Sequence, residues 1–387
     1  MNEQVPKDVW EAVISMRPVV EQARDEADAL RRLPEVIEKA FVERDIYRLL
    51  LPQDLGGREL DPIAGFDLVE EVSNYDGSVG WNFAIGINSG MMAGVLPREI
   101  ADPLFATADA AMAGSGPPQG RAVAVEGGYR VTGKFAWASG IYQAGWVMGG
   151  CFAFDGDEMR KGPQGGPVVF HVLMPIEDVT ILDTWKTGGM RGTGSTEFVA
   201  EDVFVPDARV FSMFGSEPTH PSPIYRLPTT NFGFLLTAVP LGIARATIAA
   251  LIDLAERKKV PPPRVGLNEQ PYTQYVVGKA TAMVNAARLG VRDAFATMWR
   301  EVREQGEATM PSRAALRGAS VHAVEASIEA VQMCYRAAGG NALFESERFE
   351  RALRDVNATG GHIVFQRAMM EDVGRAAMGL PPLLAMF

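Results

Sequence analysis

From about Ala110 to Val210 the chain is punctuated by glycine and proline, and the runs between them are rich in β-branched and aromatic side chains. Short runs of that composition, bounded by Gly/Pro turns, read as strands. The clearest are RAVAVEGGYRVTG (121–133), WVMGGCFAF (146–154), PVVFHVLMP (167–175) and TEFVAEDVFVP (196–206). Their length and spacing predict a small antiparallel barrel or sandwich, and Gly127-Gly128 between alternating flanks predicts a hairpin turn.

On both sides of this block the period changes. From Asp8 to about Tyr47, Val9, Val13, Met16, Val19 and Val20 recur at three- and four-residue spacing, the stripe of amphipathic helices. LLLPQDLGGREL (49–60) interrupts it with Pro52 and Gly56-Gly57, and helical spacing returns over 63–72 and 81–96. After Pro228 four long helices are predicted, over 235–259, 276–305, 315–339 and about 356–378. Basic residues close the first, as the helix dipole favours, and Gly339-Gly340 closes the third. Their alanine-rich faces predict a bundle. At 387 residues the chain exceeds the roughly 250–300 that one core supports, so this α, β, α order is expected to mark separate units.

The formal charge of −11 argues against general affinity for nucleic acid or an anionic membrane, both of which attract a positive surface. The opening MNEQVPKDVWEAV lacks the apolar stretch of a signal peptide, and no uninterrupted apolar run approaches the ~18 residues that cross a bilayer. Cys151 and Cys334 sit among apolar neighbours and imply neither a disulfide framework nor a thiolate metal site. The cytoplasm is the expected location.

Three stretches carry groups with chemistry to offer. In GKFAWASGIYQAGWVMGG (133–150), Trp137 supplies a stacking plane and Ser139, at a strand end before Gly140, supplies a hydroxyl and an N–H. A flat heteroaromatic ligand needs both; an ordinary hairpin with a core tryptophan reads the same way. In TWKTGGMRGTGSTEFVAEDVFVP (184–206) the glycines permit close backbone approach and Arg191 could hold an anion, although a Gly-rich hairpin turn would look alike. No strand–turn–helix surrounds it, so it is not a dinucleotide fingerprint. In RDVNATGGHIVFQ (354–366) an Arg354–Asp355 ion pair is expected to pin the last bundle helix, with His362 two turns along it. An imidazole moves protons near neutrality, but a lone helical histidine also serves as a packing residue.

In order and spacing these stretches resemble the acyl-CoA dehydrogenase fold family, from IYRLLLPQDLGG (46–57) to near the C-terminus. FAWASGIYQAGW resembles the strand pair whose Trp-x-Thr/Ser-x-Gly borders the flavin. WKTGGMRGTGSTEFVAEDVFVP resembles the segment that closes the family's β domain, and ERFERALRD its approach to the last helix. The resemblance implies an α+β fold: an N-terminal helical domain (1–112), a middle β-barrel domain (113–212) and a C-terminal four-helix bundle (213–387).

Dehydrogenases of this family need a carboxylate base, commonly in a Tyr-Glu-Gly triplet after that aspartate. Here His362 and Ile363 stand in its place, and isoleucine accepts no proton. The other seat, at the start of the first bundle helix, is empty too, because no Asp or Glu occurs from 218 through 252. The chain instead resembles the branch of two-component flavin monooxygenases. These receive reduced flavin from a separate reductase, react it with O2 and hold a C4a-hydroperoxide while a small aromatic or amine substrate attacks.

The resemblance implies catalytic roles for His362 and for Ser139, at the position that meets flavin N5. It implies cofactor contacts from Trp137, Ser139, Gly140, Arg191, Arg264, Gln274, Gly339 and Gly340. Apolar placement offers Phe83, Met91, Met92 and Phe365 for the substrate pocket, with Asn88 in the same neighbourhood. KKVPPPRVGLNEQ (258–270) keeps Arg264 and Gln270 but lacks the Phe-Gly that grips the adenosine end of FAD in dehydrogenases, so reduced FMN is expected, with FAD the alternative. A homotetramer is the family's usual assembly. The alternative activity is an FAD-dependent acyl-CoA oxidoreductase with a displaced base. A DNA-binding role, which a few relatives of this fold have, is disfavoured by the net charge.

Overall fold

A computed structural model describes residues 5–163, 165–213, 217–260, 265–384 and 387. Six helices come first: α1 (Lys7–Ile14), α2 (Arg17–Leu30), α3 (Glu35–Glu43), α4 (Pro62–Tyr75), α5 (Gly77–Ser89) and α6 (Arg98–Leu104). Asp61 and Asp76 cap α4 and α5, their carboxylates accepting the Ile63 and Val79 N–H groups. α5 has almost no polar side. Twelve of its thirteen residues are buried, because it is wedged between α4, α7 and the sheet.

The sheet follows: β1 (Met112–Val125), β2 (Gly128–Ala138), β3 (Trp146–Asp155), β4 (Glu158–Met159), β5 (Val169–Pro175), β6 (Thr180–Ile181), β7 (Thr196–Pro206) and β8 (Val210–Phe211). Its order is β6-β7-β2-β1-β3-β5-β8, with β4 paired to β3. Two features bear on the antiparallel barrel or sandwich expected: one departs from wholly antiparallel pairing and the other from a closed barrel. β1 and β3 pair in parallel, and among the described strands hydrogen bonding ends at β6 and β8 without closing a ring. The hairpin at Gly127-Gly128 forms as its sequence demands, with Val125 opposite Gly128. One face is filled by Phe135, Val147, Cys151, Phe170, Val172 and Phe198, with Phe135 and Phe198 stacked at 4.8 Å.

The bundle comprises α7 (Pro228–Arg257), α8 (Pro271–Gln305), α9 (Met310–Ala338), α10 (Arg348–Gly360) and α11 (Arg367–Ala377), with a two-stranded ribbon, β9 (Lys259–Val260) and β10 (Val265–Gly266), between α7 and α8. By length and composition the segment Thr230–Arg257 could cross a bilayer, but most of it is buried inside the protein, and its Arg245 pairs with Glu70 of α4. Buried Asp67 and Glu70 also bind Arg288 and Arg292 of α8, tying the first helices to the bundle. The two helical parts share one apolar core, the sheet has its own, and a third cluster packs Leu96, Leu104 and Phe105 against Met112, Leu173 and Phe211 of the sheet.

The fourth bundle helix is where the sequence reading needs correction. A single helix over 356–378 does not form. α10 stops at Gly360, and a 3-10 turn (Ile363–Phe365) precedes α11. Gly360-Gly361 ends the helix, and the His362 ring then takes the Val364 N–H (3.4 Å), capping the turn. His362 therefore sits in a loop between helices rather than two turns along one. The expected Arg354–Asp355 ion pair is also absent. Adjacent residues point about 100° apart on a helix, and Arg354 pairs with Glu350 (2.5 Å) and Asp28 (3.6 Å) while Asp355 faces the β domain.

Candidate functional site

The sheet, α5 and the α10–α11 loop meet around Ser139. At the end of β2 the register against β7 slips between Phe135 and Ala138, and within this bulge Trp137 adopts φ +63°. The left-handed region is strained for a residue with a Cβ, at a cost of about 1–3 kcal/mol. The reward is orientation, since bulges re-aim side chains: Trp137 presents an indole 62% exposed while its neighbour Ala138 is fully buried. Gln119 supports the bulge by accepting the Ala136 N–H at 2.7 Å. Two residues on, Ser139 turns inward, and Gly140 (φ +74°) donates its N–H to the Thr193 carbonyl at 3.1 Å.

Ser139 Oγ is the centre of a buried polar chain. The Trp81 indole N–H donates to it at 3.0 Å, and it lies 2.6 Å from Ser195 Oγ, itself 2.6 Å from Thr193 Oγ1. Thr193 donates to the Met190 carbonyl at 2.8 Å, and the Met190 N–H donates to Asp355 at 2.6 Å. Gly189 lets this loop approach α10, because a Cβ there would lie 2.3 Å from the Arg354 carbonyl oxygen. Desolvation by burial, reinforced by the Asp76 carboxylate, pushes Asp355 up to about 7.

On its other side Trp81 meets His362 edge-on at 5.3 Å, and Phe232 and Phe365 complete an aromatic collar around the imidazole at 5.9 and 6.1 Å. The ring retains some exposed surface, but these neighbours desolvate it and pull it down to about 4. His362 is therefore neutral near pH 7. With Nδ1 accepting from Val364, its proton is assigned to Nε2.

Further along α5, Ile85 and Asn88 share the face of Trp81, and Asn88 accepts from the Asn231 amide of α7 at 3.2 Å. Two buried amide oxygens here have no hydrogen-bond partner among the described residues: Asn231 Oδ1 and Asn82 Oδ1, the latter against Gly140. A buried acceptor left bare costs about 1–3 kcal/mol unless something supplies a donor, so both fit a bound organic group.

The expected site residues thus fall into two sets. His362, Ser139, Trp137, Gly140, Phe365 and Asn88 gather in one region. Phe83 does not; it faces the other way, edge-on to Phe41 at 5.7 Å, and Met91 is core. Arg191 is engaged with Asp28 and the Thr187 carbonyl. Gln274, Gly339 and Gly340 are exposed at the other end of the bundle. Gly360 packs on Val324 and Ile328 of α9, so Gly339 lies about 16 Å further along that helix. Arg264 lies outside the described residues. Sequence reading passed over Trp81, Thr193 and Ser195. GTGS was noted for its glycines, whereas its two hydroxyls are what reach Ser139.

A family model described as "Acyl-CoA dehydrogenase, C-terminal domain" matches residues 234–367. Over 376 residues, 92% of this chain and 90% of the relative, the sequence is 30% identical to the FADH(2)-dependent resorcinol hydroxylase, oxygenase component, of Rhizobium sp. strain MTP-10005. The crystal structure of 3-HSA hydroxylase from Rhodococcus sp. RHA1 matches with TM-score 0.89 at 26% identity, covering 98% of this chain and 99% of that one. XiaF from Streptomyces sp., in complex with FADH2 and glycerol, matches with TM-score 0.89 at 25% identity, covering 97% and 96%.

The chain belongs to the flavin-dependent monooxygenases of the acyl-CoA dehydrogenase fold.

As an oxygenase of this family it is a flavin-using oxidoreductase, and the acyl-CoA dehydrogenase alternative is set aside. At positions 362 and 363 this monooxygenase has a neutral imidazole and a half-exposed isoleucine, neither of them a carboxylate.

Proposed function

We propose that this chain is the oxygenase component of a two-component system, taking reduced flavin from a separate reductase and hydroxylating a small aromatic substrate. The observation that carries the reading is the juxtaposition of Ser139, Trp81 and His362 beside an exposed, strained Trp137. These residues fit a flavin ring. Trp137 offers a face, the Ser139 hydroxyl and Gly140 backbone border it, and the bare Asn82 oxygen accepts a donor at its edge. Bound in its reduced form, flavin supplies the electrons with which O2 is split between product and water.

The protein's own residues hold, orient and keep dry. Trp81, Phe232 and Phe365 exclude water around His362, whose Nε2–H donates a hydrogen bond to the reacting oxygen or substrate. Of the two roles open to a histidine here, donor is favoured over base, because Nδ1 is occupied and the ring resists protonation. Asn88 and Asn231 form the polar end of the pocket. Asn231 Oδ1, buried and bare, suits a substrate hydroxyl or ring N–H, as in a phenol or indole.

The remoteness of Gln274, Gly339 and Gly340 from Ser139 supports a homotetramer in which they serve a neighbouring subunit's flavin. Tyr272, Tyr275, Leu343 and Phe344 around them are all more than half exposed. FMN is proposed as the working flavin with FAD as alternative, and the cytoplasm as the location.

The test supplies reductase-generated FMNH2 or FADH2, 18O2 and a panel of phenols and indoles, and follows product mass. Incorporation of one labelled atom is expected. Flavin binding without any labelled product, with every electron recovered as hydrogen peroxide, would refute aromatic hydroxylation.

A further inference from the structure

The hydroxyls behind Ser139 admit one arrangement of protons. Thr193 Oγ1 lies 2.8 Å from the Met190 carbonyl oxygen, which has no proton to give, so this contact takes Thr193's only hydroxyl proton. Thr193 Oγ1 is also 2.6 Å from Ser195 Oγ, and the proton between them must then be Ser195's. Ser195 Oγ lies 2.6 Å from Ser139 Oγ, and by the same elimination that proton is Ser139's. The far end is set by the Trp81 indole, which can only donate. Three short O···O contacts thus use three hydroxyl protons, all directed from Trp81 toward Met190. Met190 is held in turn by Asp355 on its N–H and by the Trp185 indole N–H on its carbonyl.

We infer that Trp81, Ser195 and Thr193 are positioning residues that fix Ser139 Oγ as a hydrogen-bond acceptor toward the flavin, and that this polarity makes the protein select the reduced cofactor. Ser139 has received one proton and given its own, so only a lone pair remains to face the site. In flavins N5 carries a proton when reduced and a lone pair when oxidised. An acceptor serine therefore favours the first and sets lone pair against lone pair in the second. The selectivity is useful to an enzyme that must collect reduced flavin from another protein and discharge the oxidised form afterwards. The inference rests on the reading that Ser139 meets N5.

The test measures dissociation constants by quenching of tryptophan fluorescence. Dithionite-reduced FMN and FAD are titrated anaerobically, and the oxidised flavins in air. Wild type is expected to favour the reduced forms. In Ser195→Ala the Ser139 hydroxyl loses its acceptor and is free to donate to N5. In Thr193→Val, Ser195 turns to donate to Ser139, with the same result. Each variant is expected to lower the reduced-over-oxidised preference about tenfold, the worth of roughly one hydrogen bond, mainly through tighter oxidised binding. Thr193→Ser, which keeps the hydroxyl, is expected to retain the wild-type ratio. A purely structural role would weaken both redox states alike; an unchanged ratio in Ser195→Ala and Thr193→Val overturns the relay. If Ser139→Ala leaves both affinities unchanged, the contact with N5 is what fails.

Discussion

His362 and Asp355 are held away from their ordinary protonation behaviour in opposite senses, and the consequences oppose each other. The imidazole, ordinarily near 6.5, is drawn down to about 4 by desolvation, so between those values an unfolded chain binds a proton that the folded one refuses. Its contribution to stability is present above pH 6.5 and lost as pH falls toward 4. Asp355, ordinarily near 3.8, is raised to about 7, so the folded chain keeps a proton that the unfolded one has released. Its contribution is present at low pH and lost as pH rises toward 7. In flavin-free protein, thermal midpoints from pH 4.5 to 6.5 should therefore rise more steeply with pH in Asp355→Asn than in wild type. In His362→Asn they should rise less steeply or fall. The same His362→Asn variant should bind reduced flavin yet divert oxygen to hydrogen peroxide. Losing a positioned proton donor removes about 10²–10⁴ from the productive step. Peroxide and product assays on the same reaction check this, and unchanged coupling would remove His362 from the chemistry.

At the level of elements, function depends on how closely three pieces of backbone approach. The 188–195 loop lies against α10 because Gly189 has no side chain, and against α2 and α5 because Gly192 has none; its Cβ would lie 3.0 Å from Ser78 and 3.2 Å from Ala27. Gly189→Ala should force the loop off the Arg354 carbonyl and stretch the Met190–Asp355 bond. The expected cost is about 1–3 kcal/mol in denaturant unfolding, together with weaker reduced-flavin binding. The glycines of GGMRGTGS were readable as permissive positions; what they permitted was not, since their neighbours come from helices more than a hundred residues away in sequence. The break between α10 and α11 shows the opposite relation. Gly360-Gly361 announces a stop, but the apolar spacing beyond it still suggests helix, and only the cap that His362 provides for Val364 decides the matter.

For the whole molecule, the proposed assembly makes a definite demand. If Gln274, Gly339 and Gly340 complete a neighbour's site, charging the surface around them should separate subunits and loosen flavin together. A Leu343→Glu, Phe344→Glu double variant is expected to sediment as smaller species and to bind reduced flavin at least tenfold more weakly, the effect of losing about 1.4 kcal/mol of contact. Wild-type sedimentation of the double variant with unaltered flavin affinity would dismiss that arrangement. By itself the sequence determined the α, β, α succession, the hairpin at Gly127-Gly128 and three of the bundle helices. Each of these follows from periodicity or turn chemistry, both local properties. Only the tertiary structure decided that Trp81, Ser139, Thr193 and Ser195 share one chain of protons, that Asp355 faces the β domain, and that Phe83 belongs to the core. Those outcomes depend on which surfaces meet across long loops, and a hydroxyl's partner is fixed by distance in space rather than by spacing along the chain.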